Sequence, residues 1–133
     1  MAEQRLRLEV VTPRRRLLSA DVAEVRIPGV LGEMGILPGH TPLLTSLGTG
    51  PLTYFEGPSP ELLAVQGGFA EVLPDRVTVI ARVAETRAEI DVDAARREVT
   101  EAEEAMKNAT ADELDDLRRR AQLGIARLDV AGG

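Results

Sequence analysis

The chain has 133 residues, of which 44% are hydrophobic and 29% charged, a composition typical of one globular domain rather than of a disordered tail. Its net charge of −6 and its scarcity of aromatic residues (two Phe, one Tyr, no Trp) argue against a nucleic-acid surface, because phosphates repel acidic chains and bases stack on rings. The absence of cysteine excludes disulfides and thiolate chemistry. No apolar run approaches the roughly 18 residues of a membrane span, and no signal-peptide pattern opens the chain, so we expect a cytosolic or peripheral protein.

The first part of the chain, residues 1–84, has the pattern of β-strands. Apolar and polar residues alternate over residues 6–10, 24–27 and 77–83, which points every second side chain to the same face. Proline and glycine separate these stretches, and all eight prolines lie at or before Pro74. Alternation over short strands between such turns is typical of a sandwich or barrel. We therefore predict an N-terminal antiparallel β-sandwich domain over residues 1–84.

The second part, residues 85–133, changes to a helical period. Asp91 is placed to cap a first helix, and Thr110 and Glu113 form the capping box of a second. Only residues 107–109 separate the two, which predicts an antiparallel two-helix hairpin. Its alanine-rich seam buries little apolar surface, so we expect the hairpin to open readily. The predicted apolar stripes are Val92, Ala95, Val99, Ala102 and Met106 in the first helix, and Leu114, Leu117, Ala121, Ile125 and Leu128 in the second.

Residues that carry catalysis are sparse. His40 is the only histidine and cannot supply a metal site with several ligands, so we expect it in a hydrogen-bonded turn or an interface. The only lysine, Lys107, does not follow a glycine, which excludes a phosphate-binding P-loop. A calcium loop starting at Asp91 fails because Arg96 and Ala102 stand where glycine and glutamate are required. We predict a chain that is not an enzyme by itself and holds neither a metal nor a cofactor.

The most distinctive stretch is residues 27–44, which read IPGVLGEMGILPGHTPLL. It closely resembles PGxxGxxGxLPGHxPLL, the signature of the epsilon subunits of F-type ATP synthases. Further similar segments follow in the family's order along nearly the whole chain: residues 8–13 (LEVVTP), 47–52 (LGTGPL), 67–72 (GGFAEV) and 77–81 (VTVIA). A closing helical hairpin is also expected in that family.

This resemblance implies a non-catalytic subunit in the central stalk, the rotor of a rotary ATP synthase. In that family the β-sandwich joins the gamma subunit to the membrane ring of c subunits and so couples ion flow through the ring to ATP synthesis in the F1 head. The hairpin restrains ATP hydrolysis by contacting the alpha and beta subunits. The implied location is the cytoplasmic face of the cell membrane, reached only through the complex.

The resemblance also implies site residues for the contacts with the c-ring and gamma, which map onto the glycine-rich turn at Gly32, Glu33, Met34 and His40. Glu33 is the leading candidate, because an exposed carboxylate can meet basic or amide groups on the polar loops of the ring. The alternative interpretation is that Glu33 only keeps a tight turn soluble.

Four arginines of the second predicted helix are the candidates for contacting acidic loops of the catalytic head. Guanidinium groups bind carboxylates in a forked geometry, which suits such a contact. The alternative interpretation is a solvated helix face without a partner. The four residues are Arg118, Arg119, Arg120 and Arg127.

Some members of the family bind ATP through a motif I/L-D-x-x-R-A at the start of the first helix. Ile90, Asp91 and Ala95 match that motif, whereas Ala94 stands in place of its arginine. Arg96 lies two residues later, about 200° around the helix, and cannot simply substitute for it. We therefore expect weak or absent ATP binding.

A second function stays open at this point. A small β-sandwich could bind a ligand in its apolar interior, with the helical hairpin as a lid. Co-purification with a gamma subunit at equal stoichiometry would separate the two hypotheses.

Overall fold

The computed structural model describes residues 4–132 as a β-domain followed by two helices. Residues 1–3 and 133, at the ends of the two predicted domains, lie outside the described residues. The strands are β1 (Leu6–Val11), β2 (Arg16–Val22), β3 (Glu24–Gly29), β4 (Gly32–Ile36), β5 (Leu43–Ser46), β6 (Thr49–Phe55), β7 (Glu61–Val72) and β8 (Arg76–Thr86). The helices are α1 (Val92–Met106) and α2 (Ala111–Gly132).

The predicted antiparallel sandwich is confirmed for every pair of described strands except one. Hydrogen bonding runs in the order β2-β1-β8-β7-β6-β3-β4, and β5 pairs with β7 off this path. β1 and β8 are parallel, with Leu8 opposite Val77 and Val10 opposite Val79. Alternating hydrophobicity identifies strands but not their partners, so it could not predict that the first and last strands pair. β4 pairs only with β3 and forms one edge of the sheet.

β7 and β8 carry the sheet from one layer of the sandwich into the other. In β7 the core-facing side chains occupy odd-numbered positions before Gly67 and even-numbered positions after Gly68. These glycines have φ values of +70° and +105°, in the region that side-chain-bearing residues rarely adopt. A Cβ atom at Gly68 would overlap the carbonyl oxygen of Ile80. The glycine pair therefore forms the corner of the sandwich.

The strand faces predicted from alternation largely match the observed burial. One difference lies in β8, where the alternation shifts after Ala81, so that Val83 is half-buried and Ala84 belongs to the core. β7 and β8 also have 12 and 11 residues, which is longer than the short strands predicted. The largest side chains that the core encloses completely are Leu6, Leu8, Ile27, Ile36 and Leu52.

A short linker joins β8 to α1 and is fixed to the sandwich. It contains a 3-10 turn at Arg87–Glu89. The carboxylate of Glu89 accepts hydrogen bonds from the backbone N–H of Thr86 at 2.9 Å and from Nη2 of Arg15 at 2.7 and 2.9 Å. Arg15 belongs to the turn between β1 and β2, so this ion pair connects the linker to the first two strands of the chain.

The predicted helical hairpin is confirmed, including its caps. The Asp91 side chain accepts from the N–H of Ala94 at 3.0 Å. The hydroxyl of Thr110 accepts from the N–H of Glu113 at 3.3 Å, and the Glu113 carboxylate accepts from the N–H of Thr110 at 3.1 Å. The hairpin is folded back on the sandwich, with α2 lying against β6 and β7.

The predicted apolar stripe of α2 is wrong in its second half. Ile125 is 47% exposed, and Leu128 is only half-buried. The fully buried positions are instead Ala121, Gly124, Ala126 and Val130. One apolar stripe is expected for a helix that packs on one neighbour. Because α2 packs on α1 along one side and on the sheet along another, its buried residues lie on two faces.

Candidate functional site

The glycine-rich segment folds into a β-hairpin whose turn presents apolar side chains to solvent. β3 and β4 are joined by Val30 and Leu31 alone, with Gly29 opposite Gly32 in the ladder. A Cβ atom at Gly29 would lie 2.9 Å from the carbonyl oxygen of Gly32, so the turn requires a close backbone approach. Leu31 is fully exposed and Val30 is 61% exposed.

The structure separates the roles of the four predicted turn residues. Glu33 is exposed on β4, opposite Pro28. The next side chain, Met34, is half-buried and packs against the core, as the alternation of a strand requires. Gly32 has a φ of +130° and shapes the turn rather than offering a side chain. Of these three, Glu33 alone offers a polar side chain for a contact.

His40 lies at the other end of β4 from the turn. It closes a tight turn in which its N–H donates to the carbonyl of Leu37 at 3.2 Å, with Gly39 at a φ of +88°. The N–H of Gly39 donates to the carbonyl of Pro74 at 2.7 Å, which fixes this turn to the connection between β7 and β8. Its ring Nδ1 lies 2.6 Å from the carbonyl oxygen of Thr41. The expected hydrogen-bonded turn is confirmed.

Glu33 and His40 are therefore brought to one edge of the sheet but not to one point. The five residues of β4 span roughly 16 Å at 3.3 Å per residue. Sequence reasoning missed the apolar residues along this edge, although two consecutive apolar residues in a glycine-flanked turn are a usable signal. We name the edge-strand surface by its exposed or half-buried members: Val30, Leu31, Glu33, Leu37 and His40.

The four arginines of α2 divide into two kinds. Arg118 and Arg119 lie 3.6 and 3.3 Å from Asp115 and Asp116, one turn earlier on the same helix. Arg120 and Arg127 instead reach other elements of the chain. The Nε of Arg120 lies 2.6 Å from Oε1 of Glu98 on α1.

Arg127 makes a forked contact with Glu85 on β8. Its Nε lies 2.6 Å from Oε1 and its Nη2 lies 3.1 Å from Oε2, and both side chains are 26% exposed. In the pair between the two helices, the hydrogen bond from Arg120 lowers the pKa of Glu98, and the Glu98 carboxylate raises the pKa of Arg120.

Contacts of α2 with β6, β7 and the linker also hold the hairpin against the sandwich. A small apolar cluster joins the sheet, the linker and α2. Two hydrogen bonds accompany it: Gln66 Nε2 donates to the carbonyl of Arg119 at 2.8 Å, and Arg87 Nε donates to that of Val130 at 2.9 Å. The cluster contains Ala64, Ala126 and Val130, with Leu62 and Ile90 packed against it.

The residues that match the ATP-binding motif surround an acidic groove. Ile90 packs into the apolar cluster, Asp91 caps α1, and Ala95 is buried in the hairpin seam. The groove has a volume of about 260 Å³. Its charged lining residues are Glu85, Glu89, Asp91, Glu98 and Arg127. Arg127 is the one basic residue of this lining, and it is already bound to Glu85, which opposes the binding of a triphosphate.

Over residues 4–132, no group of three or more His, Asp or Glu side chains is arranged to hold a metal ion. Within the same residues, neither helix is long and apolar enough to cross a membrane. The interior of the sandwich is filled by the buried leucine, isoleucine and valine side chains, which leaves the hypothesis of an internal ligand site without support.

Comparison with known proteins agrees with the geometry along the whole chain. Residues 5–87 match the family described as ATP synthase, delta/epsilon chain, beta-sandwich domain. The chain is 47% identical over 133 residues to the ATP synthase epsilon chain of Desulfosudis oleivorans, covering 99% of both chains. It is 43% identical over 131 residues to ATP synthase epsilon chain 2 of Syntrophotalea carbinolica, covering 97% of this chain and 95% of that one.

Solved structures show the same fold. A chain in the mitochondrial ATP synthase of Euglena gracilis, solved with OSCP, F1 and c-ring, superimposes with a TM-score of 0.84 at 23% identity, covering 97% of this chain and 82% of that one. A chain in the central stalk and c-ring of the Tetrahymena thermophila enzyme gives a TM-score of 0.66 at 16% identity, covering 98% and 99%. From the domain match and the full-length relatives together, the chain belongs to the epsilon-chain family of ATP synthases.

Proposed function

We propose that this protein is a non-catalytic subunit of the central stalk of a rotary ATP synthase, peripheral to the membrane and held there through the complex. As an epsilon chain it is a subunit of an enzyme whose catalytic sites lie in other subunits. The observation that carries the proposal is an exposed apolar turn inside the segment that resembles the family signature. In this proposal the sandwich joins gamma to the c-ring, couples ion flow to synthesis, and leaves the hairpin to restrain hydrolysis.

The edge-strand surface is the proposed contact with the c-ring. A fully exposed leucine at the tip of a two-residue turn is costly in water, and its burial contributes about 1.5–3 kcal/mol. Glu33 stands two residues from Leu31 and supplies a charge beside the apolar tip. β4 also presents an edge whose backbone groups have no partner strand among the described elements. Glu33 and the backbone groups of β4 suit the polar loops of a ring, and Leu31 suits an apolar position beside them.

A chain that joins two partners needs a second surface, which we assign to the outer face of β7 and β8. Phe69 and Ile80 lie opposite each other in the ladder and are 54% and 51% exposed. Neither side chain belongs to the core or to the apolar cluster under α2. We propose that gamma docks over this pair.

Co-purification tests the two surfaces separately. In a complex assembled with gamma and the c-ring, Leu31→Gln should release the ring and retain gamma, whereas Phe69→Gln should do the reverse. Glu56→Gln, in the loop between β6 and β7, is the matched control and should retain both. A chain that stays monomeric in the presence of gamma would contradict the proposed function as a whole.

We also propose that the hairpin does not depend on ATP for its position. A charge-assisted hydrogen bond contributes about 1.5–3 kcal/mol, and Ala94 removes the one that an arginine would supply to the phosphates. The pairing of Arg127 with Glu85 acts in the same direction, because it occupies the one basic residue that lines the groove. Calorimetric titration of ATP into the full chain should give no saturation at micromolar concentrations. Saturable binding there would show that Ala94 is not a disabling substitution.

A further inference from the structure

Two ion pairs connect α2 to the rest of the chain, and both involve arginines that are candidates for contacting the catalytic head. Arg127 binds Glu85 on β8, and Arg120 binds Glu98 on α1. The carboxylate partners of Arg118 and Arg119 lie on α2 itself and move with it.

We propose that two ion pairs form a clasp that keeps the hairpin folded on the sandwich: Arg127–Glu85 joins α2 to β8, and Arg120–Glu98 joins α2 to α1. The consequence for ATP hydrolysis rests on the proposed function. Arg118 and Arg119 stand outside the clasp and are accessible whether the hairpin is folded or extended.

The ion pairs are important for the position of the hairpin because the apolar cluster between α2 and the sheet has small buried side chains. The cluster beneath α2 has two alanines and one valine as its buried members. Alanine contributes one methyl group, and each buried methyl or methylene group contributes about 0.8 kcal/mol. Because these buried side chains are small, the ion pairs can determine the sign of the free-energy difference between the folded and the extended hairpin.

The geometry of the Arg127–Glu85 pair favours this role over that of an ordinary surface pair. Both side chains are about three-quarters buried, and the two short contacts are parallel, which restricts the guanidinium to one orientation. Arg127 lies on α2 and Glu85 on β8, so the hairpin cannot extend away from the sandwich without breaking this pair.

The test measures the position of the hairpin in the full chain. Because the protein has no cysteine, Asp75→Cys in the β7–β8 turn and Asn108→Cys in the hairpin loop provide two unique labelling sites, both exposed. Pulsed electron paramagnetic resonance then gives the distance distribution between two spin labels. Glu85→Gln and Glu98→Gln remove the charges of the clasp while keeping side-chain size and all four arginines.

We expect each of these substitutions to raise the ratio of extended to folded hairpin by about two- to fivefold, and the double variant to raise it more than either alone. Asp115→Asn, which removes the partner of Arg118 on α2, is the matched control and should leave the distances unchanged. Amide protection of β1 and β6 shows in each variant that the sandwich stays folded. Distances in the double variant equal to those of the unsubstituted chain would overturn the clasp.

ATP hydrolysis by the assembled complex distinguishes the clasp from the function on which it rests. We expect the double variant to hydrolyse ATP more slowly, because more hairpins are available to the catalytic head. Arg118→Ala should have the opposite effect. A lengthened distance distribution with unchanged hydrolysis would support the clasp and count against the proposed restraint of hydrolysis.

Discussion

At the scale of single residues, the corner of the sandwich depends on Gly68. Its φ of +105° and its contact with the Ile80 carbonyl leave no room for a side chain. We expect Gly68→Ala to lower the free energy of unfolding by about 2–4 kcal/mol, since backbone atoms on both strands would have to move. Gly57→Ala is the control, because Gly57 has open space around it. Chemical denaturation of both variants measures the difference, and equal midpoints would contradict it.

Glu89 gives the linker a pH dependence. Its pKa is lowered, first by the hydrogen bond from the backbone N–H of Thr86 and then by that from Arg15. The folded chain thus binds this proton less tightly than the unfolded chain, whose glutamate has a pKa of about 4.3. The stabilisation is complete above that value and is lost as pH falls through the lowered pKa.

We therefore expect Glu89→Gln to destabilise the chain at pH 7 and to have a smaller effect at pH 3. Thermal unfolding at the two pH values measures the change. Glu103→Gln, on the exposed face of α1, is the matched control. An effect of Glu89→Gln that does not vary with pH would show that the charge of Glu89 is not what ties the linker to Arg15.

The sequence predicted residue-level features where the chemistry is local. The caps at Asp91 and Thr110 follow from neighbours three residues away. The exposed Leu31 and the clasp residue Glu85 were missed. Their roles depend on what lies near them in space, and Glu85 meets a partner 42 residues later in the chain.

At the scale of elements, both helices could be predicted from their period and the short loop. The face of α2 could not, because its buried side reflects two neighbouring surfaces at once. Gly124 marks where α2 meets α1: a Cβ atom there would lie 2.5 Å from Cγ2 of Val99. Glycine adds no apolar side chain to the helical pattern, so the hydrophobic periodicity of α2 does not reveal that Gly124 contacts α1.

We expect Gly124→Ala to loosen the hairpin even though alanine favours a helix over glycine by about 1 kcal/mol. The stiff Val99 side chain cannot turn aside easily. Val99→Ala in the same chain should restore the packing, so the two substitutions should couple by about 1–3 kcal/mol in a double-mutant cycle. Hydrogen exchange of the α2 amides measures each variant. Additive effects would place the contact elsewhere.

At the scale of the whole molecule, the sequence predicted a β-sandwich followed by a helical hairpin but not the topology of the sheet. The boundary remains a prediction, and the structure moves the preferred cut from residue 84 to residue 89. Glu85 and Thr86 pair with Ala64 and Leu63 in the ladder of β7 and β8. A chain that ends at Ala84 lacks those backbone pairs and the hydrogen bonds that Arg15 donates to the carboxylate of Glu89.

We expect a chain of residues 1–89 to unfold cooperatively and to assemble with gamma and the c-ring. A chain of residues 1–84 should be less stable by about 1–3 kcal/mol. Denaturation and co-purification of the two truncated chains make the comparison. A 1–89 chain without a cooperative transition would mean that the sandwich needs the hairpin.

The parallel pairing of β1 with β8 also sets the order in which the protein can be built by the ribosome. β1 has β2 on one side from the start, but its other side stays empty until residues 76–80 have been made. The sandwich therefore cannot close before residue 80 of the 133 has been translated, and such distant pairings make folding slow. The strands β6 and β7, on which α2 packs, both precede the hairpin in the chain, so the docking surface of the hairpin is translated before the hairpin itself.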